Sequence, residues 1–301
     1  MTDYQIISDG SCDLGAERTK RLDIGIIPYY ISFDGQRFYK EIEEMDVRSF
    51  YTHMVKYPKV FPTTSLPSIQ DYVDAFMPLA AEGKHIICLC LTAKFSGSYN
   101  SARNAADIVR EKYPGVRIAV VDTTLATALQ GLLVMEAAKM RDAGVPFDQA
   151  LEKIEQMKVT GRIFFSVGSM DYLIHGGRVG KVKGLAATTL GIKPMITLQN
   201  GEIYPEGLTR SRKKAFERIN EQARRYFLDM NENPDEYVFA TGYGYDHEEC
   251  VRFKDQLVAS MKDYSHIEDI EIYQIGATIG VHTGPYPLGM GLLKRFEYVK
   301  R

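Results

Sequence analysis

The sequence predicts an α/β protein of two domains, and three observations carry that prediction. Strand-like and helix-like segments alternate over residues 1 to about 145. The breaker Ala143-Gly144-Val145-Pro146 then interrupts the alternation, and the second half is less regular. The chain is 301 residues long, more than one average domain. A linking helix at 147–158 places the boundary near Val159, giving domains 1–159 and 160–301.

In the first half, the apolar runs at 4–7, 24–31, 85–91 and 117–121 read as strands, and 45–57, 68–82, 98–113 and 126–142 as helices. Strands separated by helices of this length form βαβ units on a parallel sheet. Asp34-Gly35 lies between Ile31-Ser32-Phe33 and Arg37-Phe38-Tyr39. That pattern predicts a hairpin, since Asp-Gly supplies the positive φ angles of a type I′ turn. Ser68 with Asp71 three residues later resembles a capping box. In the second half, strands are expected at 162–167 and 193–198, with Asn200-Gly201 turning tightly into 202–204. A long amphipathic helix covers 212–228, followed by a strand at 237–243, a helix at 247–261 and a strand at 270–275. The tail at 292–298 alternates and is expected to add an edge strand.

Composition narrows the function. Hydrophobic residues at 45% and charged residues at 25% describe an ordinary globular protein with ample core. A net charge of −2 gives no electrostatic reason to expect nucleic acid. The four cysteines, at 12, 88, 90 and 250, are too few and scattered for a disulfide framework. Cys88 and Cys90 share one face of a strand and read as small buried hydrophobes. No C-x-x-C suggests structural zinc. The N-terminus has no signal-peptide pattern, and no apolar run approaches the roughly 18 residues of a membrane span. A cytoplasmic protein is expected.

Three hydroxyl- and glycine-rich clusters stand out: Pro62-Thr63-Thr64-Ser65-Leu66-Pro67-Ser68, Phe95-Ser96-Gly97-Ser98-Tyr99 and Gly280-Val281-His282-Thr283-Gly284-Pro285. They offer neutral donors without a carboxylate base or a metal-ligand set, which suits gripping a polar head group better than cutting one. The first two fall where strand ends meet helix starts, the side of a doubly wound sheet that lines a ligand crevice. Helix N-termini add free N–H groups there, and the same residues can serve simply as caps. Asp9-Gly10-Ser11-Cys12-Asp13 follows the first strand. An aspartate there is a metal ligand, a phosphoryl acceptor or a helix cap, and capping is favoured. The Tyr172–Gly180 stretch, with Gly176-Gly177-Arg178, matches neither a P-loop nor G-x-G-x-x-G and reads as a turn with a surface arginine. Arg210-Ser211-Arg212-Lys213-Lys214 puts positive charge at a helix start, against the dipole, which raises recognition beside a solvated basic face. His282 is a structural or a rim histidine.

At these residues the chain resembles the DegV family of fatty-acid-binding proteins. The ordered set P-T-T-S-x-P-S, S-G-S-Y-x-S-A, V-D-T, Y-L-x-x-G-G-R, K-P and G-x-H-T-G-P carries the resemblance over nearly the whole chain. The resemblance implies a parallel-sheet α/β domain at the N-terminus and a mixed-sheet α/β domain at the C-terminus, with the ligand between them. It implies one long-chain fatty acid, its tail in an apolar tunnel and its carboxyl near the cleft. It further implies a binding subunit of a fatty acid kinase, not catalytic alone. A separate kinase subunit would form the acyl phosphate that feeds phospholipid synthesis. By this carry-over Thr63, Thr64, Ser65 and Ser96 hold the carboxyl, and Gly97 permits close approach. Arg178, Arg210 and His282 form a rim for phosphotransfer or partner docking. No metal or cofactor is expected besides the bound acid, and membrane contact is at most transient. Departures from the pattern are Tyr286 after H-T-G-P, Ala93 and Phe95 before S-G-S, and Gly10 and Cys12 in the first motif. Tyr286 is expected to narrow the mouth.

An acyl chain makes physical sense. Roughly fifteen methylenes at about 0.8 kcal/mol each supply on the order of 12 kcal/mol gross, before association costs. The carboxylate is the difficult end, since a buried unpartnered charge is costly. Ile7, Ile27, Phe33, Leu89, Phe165, Met170 and Ile196 are candidates for the tunnel wall or for ordinary core. The competing expectation is an enzyme related to the substrate-binding part of dihydroxyacetone kinase, in which His282 or His175 would capture a carbonyl substrate. A lipid-responsive regulator is a third.

Overall fold

The structure is a computed structural model that describes residues 4–187 and 192–300, so the start of the N-terminal run, Met1-Thr2-Asp3, lies outside the described residues. The first half runs β1 (Tyr4–Asp9), α1 (Gly15–Arg21), β2 (Ile24–Ile27), β3 (Tyr30–Ser32), β4 (Tyr39–Lys40), α2 (Val47–Lys56), β5 (Thr63–Ser65), α3 (Ile69–Ala81), β6 (His85–Cys90), α4 (Ser98–Lys112), β7 (Ile118–Asp122), α5 (Thr127–Asp142) and α6 (Phe147–Lys158). The second half runs β8 (Arg162–Ser166), α7 (Asp171–His175), β9 (Lys193–Gln199), β10 (Glu202–Thr209), α8 (Arg212–Met230), β11 (Tyr237–Tyr243), α9 (His247–Met261), β12 (Glu271–Gln274), α10 (Ala277–Thr283) and β13 (Leu288–Lys294).

The expected division into a parallel and a mixed sheet is present. The N-terminal sheet has the order β2-β1-β6-β7, with every pairing parallel. The C-terminal sheet has the order β10-β9-β8-β13-β11-β12, antiparallel except for β11 with β12. Chain order reverses beside β1, so the loops after β1 and β6 flank a crevice at the carboxyl edge of the sheet.

α5 holds the two halves together. It is buried almost all round, the pattern of a helix enclosed on every side. One core joins Ile6, Ile87 and Leu89 of the parallel sheet, through Leu129, Leu132 and Leu133 of α5, to Ile163, Ile196 and Leu293 of the mixed sheet. α3 and α4 cover the other face of the parallel sheet, where Cys88 and Cys90 are buried as expected. α8 and α9 cover the far face of the mixed sheet.

Several expectations need correction. The strand expected over 24–31 is broken at Pro28-Tyr29, and its second part joins a small sheet of order β4-β3-β5. Proline lacks the N–H that a continuous ladder needs. β3 and β4 do form a hairpin, but not through a type I′ turn, because only Gly35 has a positive φ (73°). The Asp34 carboxylate instead accepts from the amides of Gln36 (2.8 Å) and Arg37 (3.0 Å), a side-chain turn mimic. The tail strand begins earlier than expected and lies inside the sheet between β8 and β11, not at an edge. Both of its faces are covered, so its residues are buried through Leu293. The helices α1 and α10 were not expected; α1 has no buried residue and hence no apolar stripe to read.

Asp9 corrects another expectation. Its side chain caps no helix. It is fully buried and accepts from Gln130 Nε2 (3.0 Å), the Leu91 amide (2.9 Å), Ser98 Oγ (2.9 Å) and Ser11 Oγ. Those donors come from α5, the end of β6, α4 and the turn after β1. Burial raises the carboxyl pKa despite these bonds. Asp9 is thus a tie point, without an outward oxygen for metal or phosphoryl chemistry. Asp9→Ala leaves several buried donors unpaired and should cost about 3 kcal/mol or more. A lower urea midpoint with an unchanged m-value would report it.

Candidate functional site

A cavity of about 270 Å³ lies between α5 and the mixed sheet. Strand register makes the room. Side chains alternate faces along a strand, and on β13 Met290 and Leu292 turn to the α8–α9 core while Gly289 and Gly291 face α5. Gly289 pairs with Gly242 and Gly291 with Ala240 on β11. On the other side they pair with Phe165 and Ile163 of β8. Four small residues therefore lie together where a sheet normally presents branched side chains. Ala126, Thr127, Ala128 and Leu129, at the start of α5, form the opposite wall.

At one end the lining turns polar, with Thr64, Ser65, Ser96, Arg178, His282 and Thr283. Ser96 follows β6. Its Oγ accepts from Tyr29 Oη (3.0 Å) and from the Ser98 amide (3.1 Å). A hydroxyl has two acceptor positions and one donor, so the hydrogen is what Ser96 offers to a ligand. Thr64 sits on β5, with its Oγ1 3.4 Å from His282 Nε2. Burial, reinforced by the charge of Arg178, lowers the His282 pKa to about 4, so the ring is neutral at neutral pH. Its Nδ1 is buried against the Gly176 backbone without a protein hydrogen-bond partner. Arg178 donates from Nε to Phe95 O (3.0 Å) and from Nη1 to Gly176 O (2.7 Å), tying the glycine turn to the loop after β6.

The structure thus brings Thr64, Ser65, Ser96, Arg178 and His282 onto one cavity. It does not bring in the remaining candidates. Thr63 is exposed, paired with Ser32 in the small sheet. Gly97 lies beside the cavity, and Leu66 Cδ2 fills the place of its missing side chain at 3.2 Å from a Cβ there. The close approach that Gly97 permits is by this leucine, which draws the two hydroxyl loops together. Arg210 is exposed just beyond β10 and does not line the cavity. Its neighbour Arg212 makes a bidentate pair with Glu249 (2.8 and 2.7 Å), which offsets positive charge at the start of α8. His175 stacks on Phe61, with centroids 3.7 Å apart, away from the cavity. Tyr286 packs against Gly168 and edge-on to Tyr245, so it is not part of the lining. Of the seven wall candidates only Phe165 lines the cavity; Ile7, Ile27, Leu89, Met170 and Ile196 are ordinary core, and Phe33 packs against the core around α2. Among the described residues no cluster of three or more His, Cys, Asp or Glu could hold a metal.

Sequence reasoning missed the anchors of α10, the helix that carries Thr278, Ile279, His282 and Thr283 to the cavity. Asp13, in the left-handed region at φ 53°, accepts from the Gly276 amide (2.9 Å) and from Thr127 Oγ1. Glu41 accepts from the Thr278 amide (2.9 Å) and the Thr278 hydroxyl. Both carboxylates are buried N-terminal groups that hold a C-terminal helix. Any side chain at Gly276 would run into them, with a Cβ 2.6 Å from Glu41 Oε1 and 2.7 Å from Asp13 Oδ1. Burial pushes Asp13 well above the usual carboxylate range and Glu41 to about 7.

The model of the family described as "Uncharacterised protein, DegV family" matches residues 3–295. A DegV domain-containing protein of Clostridium perfringens is 30% identical over 286 residues, 94% of this chain and 95% of its own. Another, from Deinococcus radiodurans, is 30% identical, over 95% of this chain and 97% of its own. Among solved structures, a stearic-acid-binding protein from Eubacterium ventriosum superposes with a TM-score of 0.92 at 39% identity, over 98% of this chain and all of the other (100%). A DegV family protein from Thermus thermophilus, described by its fatty acid binding, gives a TM-score of 0.86 at 27% identity, over 97% and 100%.

The Glu41 anchor makes stability depend on pH. Its folded pKa, about 7, is above the ordinary 4.5, so between those values the folded state holds a proton that the unfolded state has lost. The stabilisation is complete below pH 4.5 and is lost as pH rises through about 7, at roughly 1.4 kcal/mol per pH unit in that window. Glu41→Gln cannot titrate. The stability of wild type relative to this variant should therefore fall from pH 5 to pH 7 in denaturant titrations. A constant difference across that range would contradict the assignment.

Proposed function

The chain belongs to the DegV family, and from that premise we infer that it binds one long-chain fatty acid and presents the carboxyl group to a separate kinase subunit. The observation that carries the reading is a single cavity with two unlike ends. One end is walled by glycine, alanine and apolar side chains, and the other collects the hydroxyls of Thr64 from β5 and Ser96 from the loop after β6. An acyl chain with a carboxylate has that same division. The fatty acids of the related solved proteins support the class of ligand.

In this reading Thr64 and Ser96 donate to the carboxylate, with Ser65 beside them. Arg178 and His282 stand at the rim of the same end, near the oxygen that would receive a phosphoryl group. Arg210, exposed and outside the cavity, serves partner docking. In this reading the chain acts as a binding subunit, with acyl-phosphate formation left to its partner.

Denatured protein should release a fatty acid detectable by mass spectrometry; release of none, from protein purified out of cells that contain them, would remove the ligand assignment. Ser96→Ala removes a donor while Tyr29 and the Ser98 amide lose their acceptor. It should weaken fatty acid binding about tenfold or more, the effect of a lost charge-assisted bond of about 1.5–3 kcal/mol. Arg210→Ala should keep its lipid and slow phosphorylation of the acid by the kinase subunit. Loss of the lipid in that variant would show that Arg210 acts on binding, contrary to the docking role.

A further inference from the structure

We propose that the paired small residues of β13 and β11 are the bed of the acyl tail, and that Gly291, with Leu293 beyond it, sets how long a tail the cavity accepts. The proposal rests on the fatty acid reading above.

β13 starts at the polar end. Thr283 and Pro287, just before it in the chain, both line the cavity. Its inward positions then run Gly289, Gly291, Leu293, each step advancing about 7 Å along the strand. The partners on β11 at the same rungs are Gly242, Ala240 and Val238. The bed therefore tapers from both sides: two glycines, then glycine with alanine, then leucine with valine. Leu293 is fully buried in the core shared with α5, so the third rung is closed. Ile163 and Phe165 of β8 form one bank of the first two rungs. Across from them, Ile275 packs beside Gly242, within 3.1 Å of a Cβ placed there. Leu198 and Ile203 of the neighbouring strands also line the cavity, and a chain entering from Ser96 and Thr64 that runs along β13 meets the closed rung of Leu293 and Val238 just beyond Gly291.

Gly291 is also the cleanest place to shorten the bed. A Cβ there would stand 3.4 Å from Leu129 Cβ and 3.8 Å from Leu129 Cα, ordinary contact that displaces nothing in the protein. Gly291 does not have a positive φ, so alanine meets no backbone penalty. Gly289 is unsuitable, because a Cβ there would lie 2.8 Å from Phe164 O. The added methyl at Gly291 stands against Leu129, so it narrows the cavity between these two lining residues.

The test compares wild type, Gly291→Ala and Leu293→Ala, purified from the same cells and denatured, with the released fatty acids identified by mass spectrometry. Competition with saturated acids of stepped chain length gives relative affinities. Gly291→Ala should shift the released acids to shorter chains and weaken the longest acid held by wild type at least tenfold. Leu293→Ala should shift them to longer chains. Should Leu293→Ala not fold, Ala240→Val replaces it, with a shift to shorter chains expected. A Gly291→Ala protein that folds and carries the wild-type spectrum of chain lengths overturns the proposal while leaving fatty acid binding intact. Wild-type protein that releases no fatty acid overturns both readings.

Discussion

Everything at the site depends on one constraint: α5 and the mixed sheet face each other across residues too small to close the gap. A protein interior is normally packed to the density of an organic crystal, and unfilled space forfeits contacts. Here the gap persists because β13 and β11 set Gly289, Gly291, Gly242 and Ala240 side by side in register. Ile275 and Leu129 close in on Gly242 and Gly291, yet the surrounding side chains leave part of the gap open. Ile163 and Phe165 are fixed by pairing on both edges of β8, and α5 is held from behind by the parallel sheet. The opening is a consequence of hydrogen-bond register, which is much stiffer than side-chain rotamers.

The polar end is made rigid by carboxyl groups placed out of sight. Asp9 ties the loop after β6 to β1, α4 and α5, and Ser98, one of its donors, also fixes Ser96 through its amide. Asp13 and Glu41 reach across the domain boundary to hold α10, and with it His282 opposite Thr64. Each buried carboxylate is costly without partners, and each has backbone amides or hydroxyls satisfying it. None of the three touches the cavity. They position the groups that do.

Much of this architecture was legible in the sequence, and the exceptions share a cause. Strongly periodic segments such as α9 and β11 carry their own boundaries, and the Ser68–Asp71 box marks the start of α3 as read. Two of the hydroxyl clusters read as helix starts in the sequence, and the structure brings Thr64 of β5 and Ser96 of the loop after β6 onto one cavity. The cavity wall was not legible. Hydrophobic strand residues such as Ile7 and Leu89 were the natural candidates, yet they are hydrophobic because they fill space. A tunnel is lined where a strand fails to fill it. The available signal was the alternation Gly289-Met290-Gly291, since glycine inside a strand marks a close approach by something else. Those same glycines weaken strand propensity, so the alternation that reads as a strand at 292–298 does not extend back over Gly289 and Gly291. The α10 anchors carried no local signal at all, because Asp13 and Glu41 reach residues 263 and 237 positions away.

On the proposed reading, the two ends divide the work unequally. Burial of the tail supplies most of the free energy, and it is indifferent to the head group beyond requiring an apolar chain of suitable length. The head-group donors add selectivity, and their neutrality has a chemical consequence. A buried arginine pairing would hold the carboxylate with charge-assisted, bidentate bonds roughly twice as strong. It would also draw electron density from the oxygen that must attack a phosphoryl group. Hydroxyl donors from Ser96 and Thr64 offset the desolvation cost while leaving that oxygen more basic. His282 fits the same logic, because a ring with pKa about 4 is neutral when the carboxylate arrives and places no fixed cation against it. The nearest permanent charge, Arg178, has two of its donors committed to the carbonyls of Phe95 and Gly176. A site built this way holds an acid firmly by its tail and loosely by its reactive end, which is the arrangement a presenting subunit requires.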